Sequence, residues 1–359
     1  MKLVVDGRAL VGNRTGIGVH AAAIAARLPF DPAPLIATHA PVANRSGIEH
    51  LRFRTDSMPL GVAWQQLRLP RVLREEEADV LWGPHGTLPL APGGPPAVVT
   101  LHDFTSITGA HRHEAKTVVS FNLFIGRSLA RAAVIAAVSR ATAEEAWRGF
   151  GVPLARIEIV PNGVGPEFTP AGDASAPPLG LDADEYVLFV GTLEPRKGIG
   201  DLLDAWEGLA PRPRLVLCGG EGWGLGRDRR RIERHRRDGA IVVTGFVGGT
   251  DLVSLYRHAR MFVYPSRHEG FGLPPLEAMA CGTPVVATAA GAIPEVTGDA
   301  ALLVAPGDPL ALRRAIERVA RDVSLRREMA ARGIERAKLF SWDRSAAIMA
   351  DLIRRAARF

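Results

Sequence analysis

The feature that most constrains this chain is a repeated alternation: a short β-branched or apolar run, a Gly-rich or polar turn, then a stretch with helical spacing. That order builds βα units and a parallel sheet, because parallel neighbours need a crossover of helix length. The runs fall into two sets, 3–5, 35–37, 79–82, 97–101, 134–138 and 157–160, then 186–190, 215–218, 241–244, 261–264, 285–287 and 301–304. Between them, residues 164–184 are rich in Pro, Gly, Ala and Ser without a hydrophobic period, which reads as a linker. The expected fold is α/β, with Rossmann-like parallel-sheet domains over 1–163 and 185–341. At 359 residues the chain is long enough for each domain to bury its own core.

Ile199, Leu202, Leu203, Trp206 and Leu209 recur at three- and four-residue steps, giving a helix with one buried face. Ile348, Met349, Leu352 and Ile353 mark a second stripe on a final helix in 342–359, expected to pack back on the first domain.

Two cysteines, Cys218 and Cys281, have no thiol at metal-ligand spacing, so neither a disulfide framework nor a zinc site is indicated. The start lacks a signal-type apolar region, and no run reaches the roughly eighteen apolar residues that cross a bilayer. A cytoplasmic protein is expected. A net charge of +6 admits an anionic partner. No zinc-finger spacing, basic zipper or RNA-binding aromatic pattern accompanies that charge, and nucleic acid is not expected as a partner. The run from Arg227 to Arg237, with seven arginines, reads as a solvated helix face or a weak peripheral contact with anionic membrane.

The densest chemistry follows the run at 261–264. Gly270 and Gly272 let backbone N–H groups face a ligand, and Pro274-Pro275 suits the first turn of a helix whose N-terminus favours phosphate. Glu269 precedes that helix, and Glu277 is placed about two turns into it. A second element, 191–198, also follows a strand and carries Arg196 and Lys197, a planar fork and a point charge suited to a diphosphate. Near the N-terminus, Asp6-Gly7-Arg8 and the loop from Gly12 through Arg14 and Gly16 to Gly18 form another anion-ready turn before a helix expected from Val19. His102 ends a strand of the first domain, and His85, His111 and His113 are candidates for an acceptor side.

The order and spacing of these segments, with Ala137-Val138-Ser139 and Val160-Pro161-Asn162-Gly163-Val164, resemble retaining glycosyltransferases of family 4 over essentially the whole chain. The segment from Glu269 to Glu277 is similar to that family's E-x7-E motif. The resemblance implies the GT-B architecture, two Rossmann-like domains facing a central cleft, and a nucleoside diphosphate sugar as donor. It assigns the diphosphate to Arg196 and Lys197, the ribose to Glu277, and the transferred sugar to Glu269 and His102. Backbone donors of Phe271, Gly272 and Leu273, with Gly16 and Gly18, would approach sugar and phosphates.

No metal or other cofactor is implied. The mannosyltransferase-like branch of polysaccharide assembly fits best, with GDP-mannose as donor and a carbohydrate, lipid-linked or small-molecule acceptor. A hydrolysing epimerase, an inverting transferase, a UDP- or dTDP-sugar enzyme and a non-catalytic nucleotide-sugar or anionic-polymer binder are the rival readings.

Overall fold

The computed structural model describes residues 1–104, 124–172 and 180–359. The chain divides into two compact units, Met1–Gly163 with Ser341–Phe359, and Val164–Phe340.

In the first unit the described strands are β1 (Leu3–Asp6), β2 (Leu35–Thr38), β3 (Arg52–Thr55), β4 (Val80–Gly83), β5 (Ala97–Leu101), β6 (Val134–Ala137) and β7 (Ile157–Ile159). They form one sheet in the order β3-β2-β1-β4-β5-β6-β7, paired in parallel throughout. The central strands are buried along their whole length, which explains why they read as continuous apolar runs. The strand order reverses between β1 and β4, the place where doubly wound sheets open a crevice at their carboxyl edges.

Strand β3 carries no apolar run and escaped the sequence reading. As the edge strand it pairs with β2 on one side, and Arg52 and Arg54 bond Glu75 and Glu76.

The helix Trp342–Ala356 returns to this unit and lies on β4, β5, β6 and the helix Gly16–Ala25. Trp342, Met349, Leu352 and Ile353 are buried there, each contributing on the order of 1.5–3 kcal/mol of apolar transfer. The Ser345 hydroxyl donates to the Pro161 carbonyl at 2.5 Å, and Arg355 pairs with Glu158 at 2.8 Å.

In the second unit β8 (Tyr186–Val190), β9 (Arg214–Cys218), β10 (Ile241–Gly245), β11 (Met261–Tyr264), β12 (Val285–Thr288) and β13 (Ala301–Val304) form a parallel sheet ordered β10-β9-β8-β11-β12-β13. Its order reverses between β8 and β11, which are hydrogen-bonded neighbours. The helix Ile199–Glu207 buries Ile199, Leu202, Leu203 and Trp206, and Leu209 stays buried just past its end.

Residues 164–172, read from composition as part of a linker, are seated on this unit. Arg257 donates to the carbonyls of Thr169 (2.6 Å) and Ala171 (2.9 Å), and Phe168 packs edge-on to Tyr256.

Candidate functional site

Two loops leave the carboxyl ends of β8 and β11 side by side. The first makes a single 3-10 turn, Pro195–Lys197, closed by Gly198 in the left-handed region (φ 71°). The second runs to Gly272 and starts the helix Leu273–Ala280. They are tied together where the Arg267 N–H (2.9 Å) and the Ser266 hydroxyl (3.3 Å) donate to the Arg196 carbonyl.

Lys197 and Glu269 meet there. The Lys197 Nζ donates to Glu269 Oε1 at 2.6 Å and to the Tyr264 hydroxyl at 2.8 Å. The same oxygen accepts from Tyr264 OH (2.9 Å) and Ser266 Oγ (2.5 Å), with Arg196 Nη1 at 3.5 Å. Arg196 also grips Glu194 Oε1 through Nε (3.1 Å) and Nη2 (2.8 Å). Burial pushes the Glu269 carboxyl upward, but Lys197, Arg196 and the Ser266 hydroxyl overcome that and hold it at about 2. Burial lowers the Lys197 ammonium, with Glu269 opposing. The basic pair expected from sequence is therefore not bare, since Glu194 and Glu269 balance its two charges.

Gly272 sits at φ 104°, and a Cβ there would strike the Ile293 δ-methyl, so the turn requires glycine. Pro274 and Pro275 fall in the first helical turn and carry no N–H, which removes two of the donors a helix N-terminus ordinarily offers. Among the described residues, the backbone N–H groups of Phe271, Gly272 and Leu273 find no acceptor.

Glu277 stands one turn into this helix rather than the two turns expected from sequence, because the helix begins at Leu273. Its Oε2 accepts from Tyr256 OH at 2.9 Å. Burial raises its carboxyl to about 7, with Tyr256 opposing and Glu167 adding repulsion. Tyr256, Tyr264, Ser266 and Glu194 were given no role by the sequence reading. For Tyr264, Ser266 and Glu194 the available signal is position, the end of β11 and the fourth residue beyond β8; Tyr256, inside the helix before β11, carries none.

In the first unit Asp6 ends β1 fully buried, and Arg8 Nε spans its two oxygens at 2.9 and 3.0 Å while Gln65 adds a bond at 2.8 Å. His102 follows β5. Its Nε2 lies 2.9 Å from the Pro84 carbonyl, and its own carbonyl accepts from Thr142 Oγ1 at 3.0 Å. A carbonyl accepts only, so Nε2 carries the proton and Nδ1 is left as an acceptor. Burial, with His85 assisting, drives the His102 pKa to about 3, so the ring is neutral. Its edge contact is His20, ring centroids 4.7 Å apart, and His20 Nδ1 is held 2.7 Å from Asn162 Oδ1 of the Pro-Asn-Gly segment. His85 lines the same region, lowered to about 4 by burial, whereas His111 and His113 lie outside the described residues.

The helix expected from Val19 starts at Gly16. Gly18 is a packing glycine whose Cβ would collide with the Ala9 carbonyl oxygen, and its N–H is spent on the Thr15 carbonyl at 2.6 Å. Gly16 faces open space. Arg14 is engaged with the carbonyls of Ser46 and Asn44.

The arginine run forms the helix Gly226–Arg237. Arg231 bonds Asp204, Glu207 and Asp228, Arg234 bonds Glu207, Arg236 bonds Glu233 and Arg229 bonds Glu221. Among the described residues no cluster of three metal-ligating side chains occurs, no helix is long and apolar enough to cross a membrane, and both cysteines are free and buried.

Residues 15–168 match the family described as Glycosyltransferase Family 4, and residues 174–336 match Glycosyl transferases group 1. The chain is 37% identical to O-antigen chain mannosyltransferase B of Escherichia coli, over 79% of this chain and 77% of that protein. It is 30% identical to the E. coli serotype-specific mannosyltransferase WbdA over 71% of this chain, but spans only 33% of that longer protein. Among solved structures, Anabaena HepE in complex with UDP and glucose is similar with a TM-score of 0.80, 22% identity and 98% of each chain covered.

Proposed function

This chain belongs to glycosyltransferase family 4, and from that premise we propose that it moves mannose from GDP-mannose to an acceptor hydroxyl in polysaccharide or glycoconjugate synthesis, with retention at the anomeric carbon. The observation that carries this reading is the buried Lys197–Glu269 pair at the strand-order reversal of the second sheet, beside the three backbone donors of 271–273. As the sugar–phosphate bond breaks, negative charge grows on the diphosphate. Lys197, Arg196 and the amides stabilise it without having to reorganise, so no metal or other cofactor takes part in this scheme.

Glu269 accepts a hydroxyl of the transferred sugar through Oε2 and Glu277 accepts from the ribose through Oε1; in the first unit, the neutral His102 offers Nδ1 as an acceptor suited to a hydroxyl. Glu269 Oε1 is already occupied by Lys197, Tyr264 and Ser266, an arrangement that suits a fixed acceptor better than a nucleophile. The departing phosphate then takes the acceptor proton on the face it leaves. Mannose rests on the similarity to O-antigen chain mannosyltransferase B. The setting is cytoplasmic, with a carbohydrate or lipid-linked acceptor. Any peripheral membrane contact through the arginine helix falls to its exposed arginines, among them Arg227, Arg230 and Arg237, whereas Arg231 is half-buried among Asp204, Glu207 and Asp228.

A thermal-shift screen over GDP-, UDP- and dTDP-sugars tests the donor. A ligand of the folded state at a hundred times its Kd adds about 2.7 kcal/mol of stability. GDP-mannose is expected to give the largest shift, and NMR of the product to show the donor's anomeric configuration. An inverted product refutes retention, a larger shift with UDP- or dTDP-sugars refutes the guanine donor, and binding without turnover refutes the enzyme.

A further inference from the structure

Tyrosine is scarce in this chain, with three in 359 residues, and all three are buried in the second unit with placed hydroxyls. Tyr186 donates to the Leu255 carbonyl at 2.7 Å and serves the core. The other two end on the two motif glutamates, Tyr264 on Glu269 Oε1 and Tyr256 on Glu277 Oε2, both at 2.9 Å. Their rings are clamped by aromatic packing. Tyr264 stacks with Phe189 and Phe262 at 6.2 and 5.7 Å, and Tyr256 meets Phe262 and Phe168 edge-on at 5.5 and 6.0 Å. A ring held on its faces leaves its hydroxyl little freedom, so each carboxylate oxygen is aimed by the core beneath it.

The donor count sharpens this. An ammonium has three N–H bonds. Lys197 places one on Glu269 and one on Tyr264, and the third meets no described acceptor. Among the described residues, the contacts on the Glu269 carboxylate fall on Oε1 and the hydrogen bond on the Glu277 carboxyl falls on Oε2. In each group one atom is fixed and one is left to a ligand.

We propose that Tyr264 and Tyr256 are positioning residues: each pins one oxygen of a motif glutamate so that the other faces the donor, and Tyr264 also directs the third Lys197 N–H at the diphosphate. This rests on the donor assignment above, and it adds that two buried phenols divide the work, Tyr264 serving bond cleavage and Tyr256 serving nucleotide affinity.

Tyr264→Phe and Tyr256→Phe keep the rings and delete one oxygen each. Ser266→Ala is the companion variant, removing a different donor to Glu269 should Tyr264→Phe fold poorly. The chain has four lysines, so the Lys197 ammonium is identifiable by NMR through its loss in Lys197→Met.

Tyr264→Phe is expected to speed exchange of the Lys197 ammonium protons at least about tenfold, and to lower kcat for GDP-mannose hydrolysis about tenfold with KM within about threefold. Tyr256→Phe is expected to raise the Kd for GDP about tenfold with kcat at saturation within about threefold. Unchanged exchange in Tyr264→Phe, or an equal loss of kcat and affinity in both phenylalanine variants alongside a lowered Tm, overturns the proposal. Failure of the wild-type protein to bind any nucleoside diphosphate overturns the donor assignment instead, and the ammonium exchange still decides the Tyr264 contact.

Discussion

Glu269 and Glu277 stand eight residues apart in one motif, yet their surroundings drive their carboxyls in opposite directions. Glu269, held at about 2, contributes stability that is present above the unfolded carboxylate pKa and lost as pH falls toward 2. Glu277, raised to about 7, contributes stability that is present below its unfolded pKa and lost as pH rises through 7. Glu277→Gln should therefore raise the Tm of the ligand-free protein at pH 8 more than at pH 5, while weakening GDP. In the wild-type protein, affinity for GDP should rise as pH passes 7 and the carboxylate form takes the ribose hydroxyls. The groups facing Glu277 are Tyr256, Tyr264, Glu167, Cys218 and Cys281. A Kd for GDP that stays flat from pH 6 to 8 would remove Glu277 from the ribose. Lys197→Met leaves Glu269 buried without its main countercharge and should cost about 3–5 kcal/mol in urea unfolding. Pairing it with Glu269→Gln should restore most of that stability and none of the turnover.

At the scale of elements, both candidate sites depend on how a strand hands the chain to a helix. Gly272→Ala combines a positive φ with a clash on Ile293 and should cost about 1–3 kcal/mol, shifting the 271–273 amides as it does. The two glycines of the first-unit loop separate cleanly. Alanine at Gly16, in open space at the first helical position, should leave Tm unchanged or slightly raised, whereas alanine at Gly18 should lower it by several degrees through the Ala9 carbonyl. Equal Tm values for the two variants would contradict the packing role of Gly18. The arginine helix shows why a charge run is a poor guide by itself. Three of its countercharges, Asp204, Glu207 and Glu221, lie outside the helix, so sequence proximity displays only the pairs with Asp228 and Glu233.

For the whole molecule, the consequential feature is that the first unit is closed by the last residues of the chain. Removing 341–359 strips Trp342, Met349, Leu352 and Ile353 from β4, β5, β6 and the Gly16–Ala25 helix. Calorimetry of that truncation should show the transition of the first unit lost or lowered by tens of degrees, with the transition of 164–340 retained. Two unshifted transitions would make the final helix an accessory.

The two parallel sheets were legible from sequence because strands buried on both faces must be apolar throughout, so β1, β4, β5, β8 and β11 announce themselves without any partner being known. The edge strand β3 was not, because its arginines are satisfied by Glu75 and Glu76, far along the chain. In the same way motif position singles out Lys197, Glu269 and Glu277 as candidates, and the fold brings the first two into contact. Their partners were decided only in the fold, Lys197 and Glu269 meeting at Tyr264 where β8 and β11 pair, and Glu277 meeting Tyr256 between two helices. A motif is local along the backbone and so survives in one dimension. A buried hydrogen bond between residues 72 apart exists only after folding has removed the water that would otherwise compete for it.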